Sequence, residues 1–145
     1  VGDGPERPMA EELARELGVI DSISFVGKQE QMEEILAVSD IFLLPSEYES
    51  FGLAALEAMA ARVVVISTNA GGLSEINIQG ETGFLANVGD VAAMSDFAIA
   101  LLKNEERLEI MKEKAYKKAL EFDIKNIVPQ YEKLYNRYCR MTPCI

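Results

Sequence analysis

Two short apolar runs constrain what this chain can fold into more than anything else in it. IFLLP, at 41–45, is bounded by Asp40 and Pro45, and VVVIST occupies 63–68. Runs of this length without polar alternation suit strands buried on both faces, as in a parallel sheet. Parallel neighbours need a crossover, usually a helix, and LAALEAMAA between the two runs has helical composition. The alternation continues on both sides. Upstream, apolar or small residues at Met9, Ala10, Leu13, Ala14 and Leu17 predict a helix over 6–17 that Gly18 ends. A strand is expected at 23–26 (ISFV) and a helix at 31–38. Downstream come a short helix at 73–78, a turn at QGETG and a strand opening GFLA. Helices follow at 91–103 behind the N-cap Asp90, at 105–122, and to Tyr138 behind Asp123 or Asn126. The fold class is α/β, a Rossmann-like parallel sheet with flanking helices.

The chain has 145 residues, which suits one domain. Residues 1–138 are expected to form it and 139–145 to be a tail. With a net charge of −10 and no histidine, nucleic-acid backbones and anionic membranes are poor main partners. A small phosphate ligand stays open, because helix N-termini bind phosphate without basic side chains. Cys139 and Cys144 both lie in the tail and read as reduced thiols. No metal site is expected, since histidine is absent and no ligand cluster occurs. No apolar run approaches the ~20 residues a bilayer span requires.

Ligands of parallel sheets bind beyond the carboxyl ends of the strands. That edge should gather the loops GDGP, GKQE, SEYESFG and NAGG. The stretch PSEYESFGLAALEAMA, 45–60, holds the most informative residues. Gly52 permits close backbone approach, and the free N–H groups of Gly52, Leu53 and Ala54 would form an anion site at a helix start. Glu49 and Glu57 would repel a phosphate but can accept hydrogen bonds from neutral hydroxyls beside it. Glu49 could equally be an acid stabilising a helix dipole. Glu57 is harder to explain so, because its neighbours Leu56, Ala58, Met59 and Ala60 leave little room for a solvated face.

The same stretch resembles the E-x7-E motif of family 4 glycosyltransferases, which have the two-domain GT-B fold. VGDGPE, ISFVGK, DIFLLPS, VVVISTNAGGLSE and GETGFLANVGD are similar to that family's blocks, in its order, over about residues 1–138. At a finer level, FVGKQ followed by SEYESFGLAALEAM is similar to the bacterial enzymes that join N-acetylglucosamine to malate. The resemblance implies the donor-binding half of a retaining enzyme that moves a hexose or N-acetylhexosamine from a nucleotide sugar, UDP-linked, to an acceptor hydroxyl. Glu49 would hold donor-sugar hydroxyls as the catalytic-site acid. Ser50, Phe51, Gly52 and Leu53 would present amides to the diphosphate and sugar, and Glu57 would bind the ribose. Val26, Gly27 and Lys28 would border the nucleobase, with Gly2 and Asp3 nearby. No tightly bound cofactor and no metal are implied, and the enzyme would be cytoplasmic or peripheral at a membrane.

Two departures from the family pattern carry expectations. The Arg and Lys that neutralise the diphosphate, and the acceptor domain, belong upstream of VGDGPE. The chain therefore reads as an N-terminally truncated fragment, inactive alone, whose ISFV edge would pair with a second copy. Arg62 and Val64 also stand where the family has Gly and Pro. An αL position at Arg62 would cost ~1 kcal/mol relative to Gly, so restoring Gly and Pro is expected to be neutral or stabilising. The alternatives are a non-catalytic α/β interaction or phosphate-binding module and a two-carboxylate glycosidase. A receiver-like module is disfavoured because Asp40 precedes its strand.

Overall fold

A computed structural model describes residues 1–139. The chain divides into two units, Val1–Glu34 and Ile35–Ile145. The tail expected at 139–145, with Cys144, lies outside the described residues except for the backbone of Cys139, which closes the last helix.

The first unit contains α1 (Arg7–Glu16) and a 3-10 turn (Ile20–Ser22). Helix α1 ends as its sequence predicts. Gly18 takes φ +67°, Gly18 N–H donates to Arg15 O at 3.0 Å, and Val19 N–H donates to Ala14 O at 2.9 Å. This is the paired-bond Schellman ending. The strand expected at 23–26 does not form. Ile23 is extended (φ −121°, ψ 126°), but one bond, Gly2 N–H to Gly27 O at 2.8 Å, stands in place of a ladder among the described residues. Side chains take the carbonyls a ladder would use. Arg7 Nη2 donates to Phe25 O at 3.1 Å and Gln29 Nε2 to Val26 O at 2.6 Å. Without a strand at 23–26, the expected pairing of two copies along an ISFV edge loses its basis.

Helix α2 (Met32–Leu36) leads to the sheet. Strands β1 (Ile41–Leu44), β2 (Val64–Thr68) and β3 (Gly83–Ala86) are parallel, in the order β1-β2-β3. Ile41 pairs with Val64, and Val65 with Gly83. Helix α3 (Leu53–Ala60) crosses from β1 to β2, and α4 (Leu73–Ile76) lies between β2 and β3. Helices α5 (Val91–Leu102), α6 (Glu105–Leu120) and α7 (Ile124–Cys139) follow. Asp90 caps α5 as expected, its Oδ1 accepting from Ala93 N–H at 3.0 Å.

Strand β2 is buried throughout, and its side chains alternate between two cores. Val63 and Val65 pack with Ala55, Ala58, Met59, Leu73 and Ala115. Val64 and Ile66 pack with Phe84, Met94, Leu101, Leu108 and Met111. The period of two, with helices on both faces, is why VVVIST has no polar position before Ser67. IFLLP was expected to be equally buried and is not. Strand β1 ends the order, and Leu43 is 53% exposed. Buried Asn77 ties β2 to β3, its Nδ2 lying 3.2 Å from Val65 O, 3.0 Å from Phe84 O and 3.1 Å from Ser67 Oγ. A Cβ at Gly83 would sit 2.1 Å from Val65 O and 2.4 Å from Asn77 Oδ1, so that position admits only glycine.

Arg62 adopts the αL conformation, at φ +61°. Arg62 N–H donates to Met59 O at 3.0 Å and Val63 N–H to Ala58 O at 2.9 Å, the same ending as α1. The side chain compensates for the backbone. Its guanidinium pairs with Glu113 on α6 and stands 4.2 Å from the Tyr116 ring centre. Exposed contacts of these kinds contribute ~0.5–1 kcal/mol each, similar to the αL penalty. Val64 N–H donates to Asp40 O at 3.2 Å, a bond that proline removes. The structure therefore gives the two substitutions different expected effects. Arg62→Gly should change stability by less than ~1 kcal/mol, by near cancellation of these terms. Val64→Pro should cost ~1–3 kcal/mol by removing that backbone bond from a fully buried residue at the start of β2. Urea denaturation midpoints of the two single variants separate the two effects.

Candidate functional site

The site is built where β1 ends. Beyond Leu44 the chain runs through 45–52 and enters α3 at Gly52, which serves as N-cap in the αL region (φ +98°, ψ 42°). A Cβ on Gly52 would lie 2.8 Å from Leu73 Cδ2 and 3.0 Å from Ile76 Cδ1. Glycine is thus required here twice, by its dihedral and by α4 packed against it. No side chain caps α3. The first donation into the helix is Leu56 N–H to Gly52 O at 3.0 Å. The N–H groups of Gly52, Leu53, Ala54 and Ala55 therefore have no intrahelical acceptor.

A second loop supports the first. Residues 69–72 follow β2, and Gly71 and Gly72 lie directly against the backbone of Glu49, Ser50 and Phe51. A Cβ on Gly71 would be 1.7 Å from Glu49 O, and one on Gly72 would be 2.8 Å from Ser50 O. Gly72 N–H donates to Glu49 O at 3.3 Å. At the other end of the loop, Thr68 Oγ1 donates to Ser46 O at 2.5 Å. Beside them, Asn69 N–H donates to Ala86 O at 2.9 Å and Asn69 Nδ2 to Asn87 Oδ1 at 3.0 Å. The carboxyl ends of all three strands are thereby linked.

On this frame Glu49 is half-buried and Ser50 exposed. Phe51 is partly exposed, its ring edge-on to Phe122 at 5.9 Å between centres. Leu53 is 66% exposed. Glu57 is exposed, contrary to expectation. Ala55, Ala58 and Met59 take the buried face of α3, which leaves Leu53, Glu57 and Ala60 on the open one. The helix is apolar on nearly all sides because its small residues also fill an exposed face, so composition concealed where its core lay. Among the described residues, neither the Glu49 nor the Glu57 carboxylate has a hydrogen-bond or ion-pair partner. An open apolar groove of about 760 Å³ runs from Phe51 and Leu53 to Ile127 and Leu134 on α7.

The other sequence-predicted residues belong to the first unit. Gly2 and Gly27 meet through the bond given above, with Gly27 at φ +67°. Val26 is 44% exposed and Lys28 exposed. Asp3 Oδ1 accepts from Gly4 N–H at 3.0 Å. The structure thus joins the GDGP and GKQE loops within one unit, and the SEYESFG and NAGG loops within the other. Sequence reasoning gave no role to Thr68 or Phe122. The threonine ending VVVIST carried a faint signal, and Phe122 none. Among the described residues no group of three or more His, Cys, Asp or Glu could hold a metal ion.

Residues 1–118 match the family model of the group 1 glycosyl transferases. A parallel sheet with this helix start at the end of its first strand, together with that match, defines the class: the chain belongs to the group 1 glycosyltransferase family, of GT-B fold. Among particular relatives, it is 47% identical over 136 residues to N-acetyl-alpha-D-glucosaminyl L-malate synthase of Bacillus anthracis, covering 93% of this chain and 36% of the relative. It is 36% identical over 137 residues to D-inositol 3-phosphate glycosyltransferase of Corynebacterium urealyticum, covering 92% and 32%. The chain thus spans about a third of the length of these curated relatives. Sucrose-phosphate synthase from Thermosynechococcus elongatus superposes with a TM-score of 0.85 at 27% identity, over 97% of this chain and 38% of that one. Anabaena HepE, crystallised with UDP, also gives 0.85, at 24% identity over 94% and 39%, a likeness of fold. The resemblance to enzymes joining N-acetylglucosamine to malate agrees with the first of these relatives.

Gly52→Ala tests the construction of the site. It forces an L-residue to φ near +98° and a methyl group into Leu73 and Ile76. A loss of ~2–4 kcal/mol is expected from strain and overpacking together, read as a fall in denaturation midpoint. Ser50→Ala, at an exposed position, should leave the midpoint within ~0.5 kcal/mol.

Proposed function

We propose that this chain is the donor-nucleotide part of a retaining glycosyltransferase. The intact protein transfers a hexose or N-acetylhexosamine from a UDP-sugar to an acceptor hydroxyl. The observation that carries this reading is the start of α3. Four backbone N–H groups without intrahelical acceptors, beginning with that of a buried αL glycine, stand between two carboxylates that have no partner among the described residues. A helix start of this kind stabilises a diphosphate through its N–H groups and dipole. It stabilises the leaving UDP best as charge develops on it, when the bond from the anomeric carbon to the phosphate oxygen breaks. Glu49 accepts hydrogen bonds from hydroxyls of the donor sugar and Glu57 from those of the ribose. Ser50, Phe51, Gly52 and Leu53 offer amides to the diphosphate and sugar. UDP-bound HepE, of the same fold, supports the choice of nucleotide. No metal enters this scheme. The chain spans about a third of the length of the relatives it matches, and in this reading the acceptor-binding domain and the cationic groups facing the diphosphate are parts of the intact protein that the activity requires.

Titration of the chain with UDP, followed by amide chemical shifts, tests the proposal. Shifts should concentrate at 50–57. Glu57→Ala should weaken UDP binding by ~1–3 kcal/mol through the lost ribose bonds, and leave the denaturation midpoint unchanged because Glu57 is exposed. Unaltered affinity in that variant would remove the ribose assignment.

A further inference from the structure

The peptide between Phe51 and Gly52 carries the first of the free N–H groups at the start of α3. Among the described residues neither that N–H nor the Phe51 carbonyl has a hydrogen-bond partner. The backbone on either side is tied down. Glu49 O accepts from Gly72 N–H, and Gly52 O accepts from Leu56 N–H. Gly72 also packs under Phe51, where a Cβ would lie 3.0 Å from Phe51 Cα and 3.2 Å from Phe51 O. That contact limits where the peptide lies and leaves its rotation to other restraints.

The Phe51 side chain supplies one. Its ring meets Phe122 edge-on, with 5.9 Å between centres and 67° between planes. Phe122 is the better held of the two. Its N–H donates to Ala119 O at 3.0 Å where α6 ends, and its side chain packs against the core that contains Met59, Ala115 and Ala119. Lys118 Nζ stands 5.4 Å from its ring centre and donates to Glu121 at 2.7 Å. An edge-on pair favours one mutual geometry, and a rotamer so fixed restricts the backbone dihedrals that can bear it.

We infer that Phe122 is a positioning residue of the donor site: through the Phe51 ring it fixes the Phe51–Gly52 peptide, and so aims the Gly52 N–H at the diphosphate. The inference rests on the donor-site reading above and adds to it a residue from the far end of α6. Phe122 acts through Phe51 and not by touching the ligand. Its effect on nucleotide binding therefore exists only while Phe51 is aromatic.

The test uses the isotopically labelled chain, with amide shifts at 50–57 followed against UDP for Phe122→Leu, Phe122→Tyr, Phe51→Leu and the double Leu variant. Phe122→Leu should weaken UDP binding about three- to tenfold, the range one edge-on aromatic pair supplies. Phe122→Tyr, which keeps the ring edge, should bind as the unsubstituted chain does. Phe51→Leu should weaken binding by the same factor as Phe122→Leu, and the double variant no further, because both remove one contact. In the ligand-free chain, Phe122→Leu should lower the order parameter of the Gly52 amide and leave those of Ala58 and Met59 unchanged. Unchanged UDP affinity in Phe122→Leu, an equal loss in Phe122→Tyr, single effects that multiply in the double variant, or an unaltered Gly52 amide each overturn the inference and leave the donor site standing. If Phe122→Leu does not fold, Phe51→Leu reads the same contact from its more exposed side, and unchanged affinity there overturns it equally. Failure of UDP to shift any amide at 50–57 of the unsubstituted chain overturns the donor site and the inference with it.

Discussion

Strand β2 has to satisfy its backbone on both edges and its side chains on both faces at once. No water reaches it, so every N–H and C=O must find a protein partner. The ladder to β1 supplies one edge and the ladder to β3 the other. Asn77 completes the second edge where glycine at position 83 brings the strands together. On the two faces, alternate residues enter separate cores. Helix α6 contributes Ala115 to one core and Leu108 and Met111 to the other. The rest of the second unit is arranged around these demands.

The candidate site is a consequence of that arrangement. A parallel sheet returns every crossover to the same edge, so the loops after β1, β2 and β3 meet there. Close contact between them needs backbone without Cβ atoms, and this is where Gly52, Gly71 and Gly72 fall. Their packing sets the start of α3 and holds the Glu49 backbone against the neighbouring loop. In the proposed function two kinds of group divide the labour: backbone N–H groups suit an anion that carries its charge on oxygen, and carboxylates suit hydroxyls, demands that a sugar nucleotide combines in one ligand.

Arg62 shows how a departure from a familiar pattern can be absorbed. Its backbone has the conformation that glycine adopts at Gly18, with the same pair of hydrogen bonds closing the helix. The difference lies in the side chain, which reaches α6 through Glu113 and Tyr116. A dihedral penalty near 1 kcal/mol is small enough for an exposed ion pair and a ring contact to offset.

Much of this was legible in the amino-acid order alone. VVVIST suited a strand buried on both faces, Gly18 and Asp90 marked helix ends, and Gly52 marked the start of the helix between the two apolar runs. Local chemistry determines such features: dihedral preference, capping and apolar periodicity act within a few residues. The exposure of Glu57 was not legible, because a helix of small apolar residues has no polar stripe to mark its outer face. Nor was the failure of ISFV to become a strand. Its composition favours extension, but a strand exists only where a neighbour accepts its hydrogen bonds, and Arg7 and Gln29 take the carbonyls of Phe25 and Val26 instead. The partial exposure of β1 follows from its place at the end of the order, which no property of IFLLP encodes. Chain order determined which residues could serve; contacts between segments distant in sequence decided which of them are buried, paired or open to a ligand.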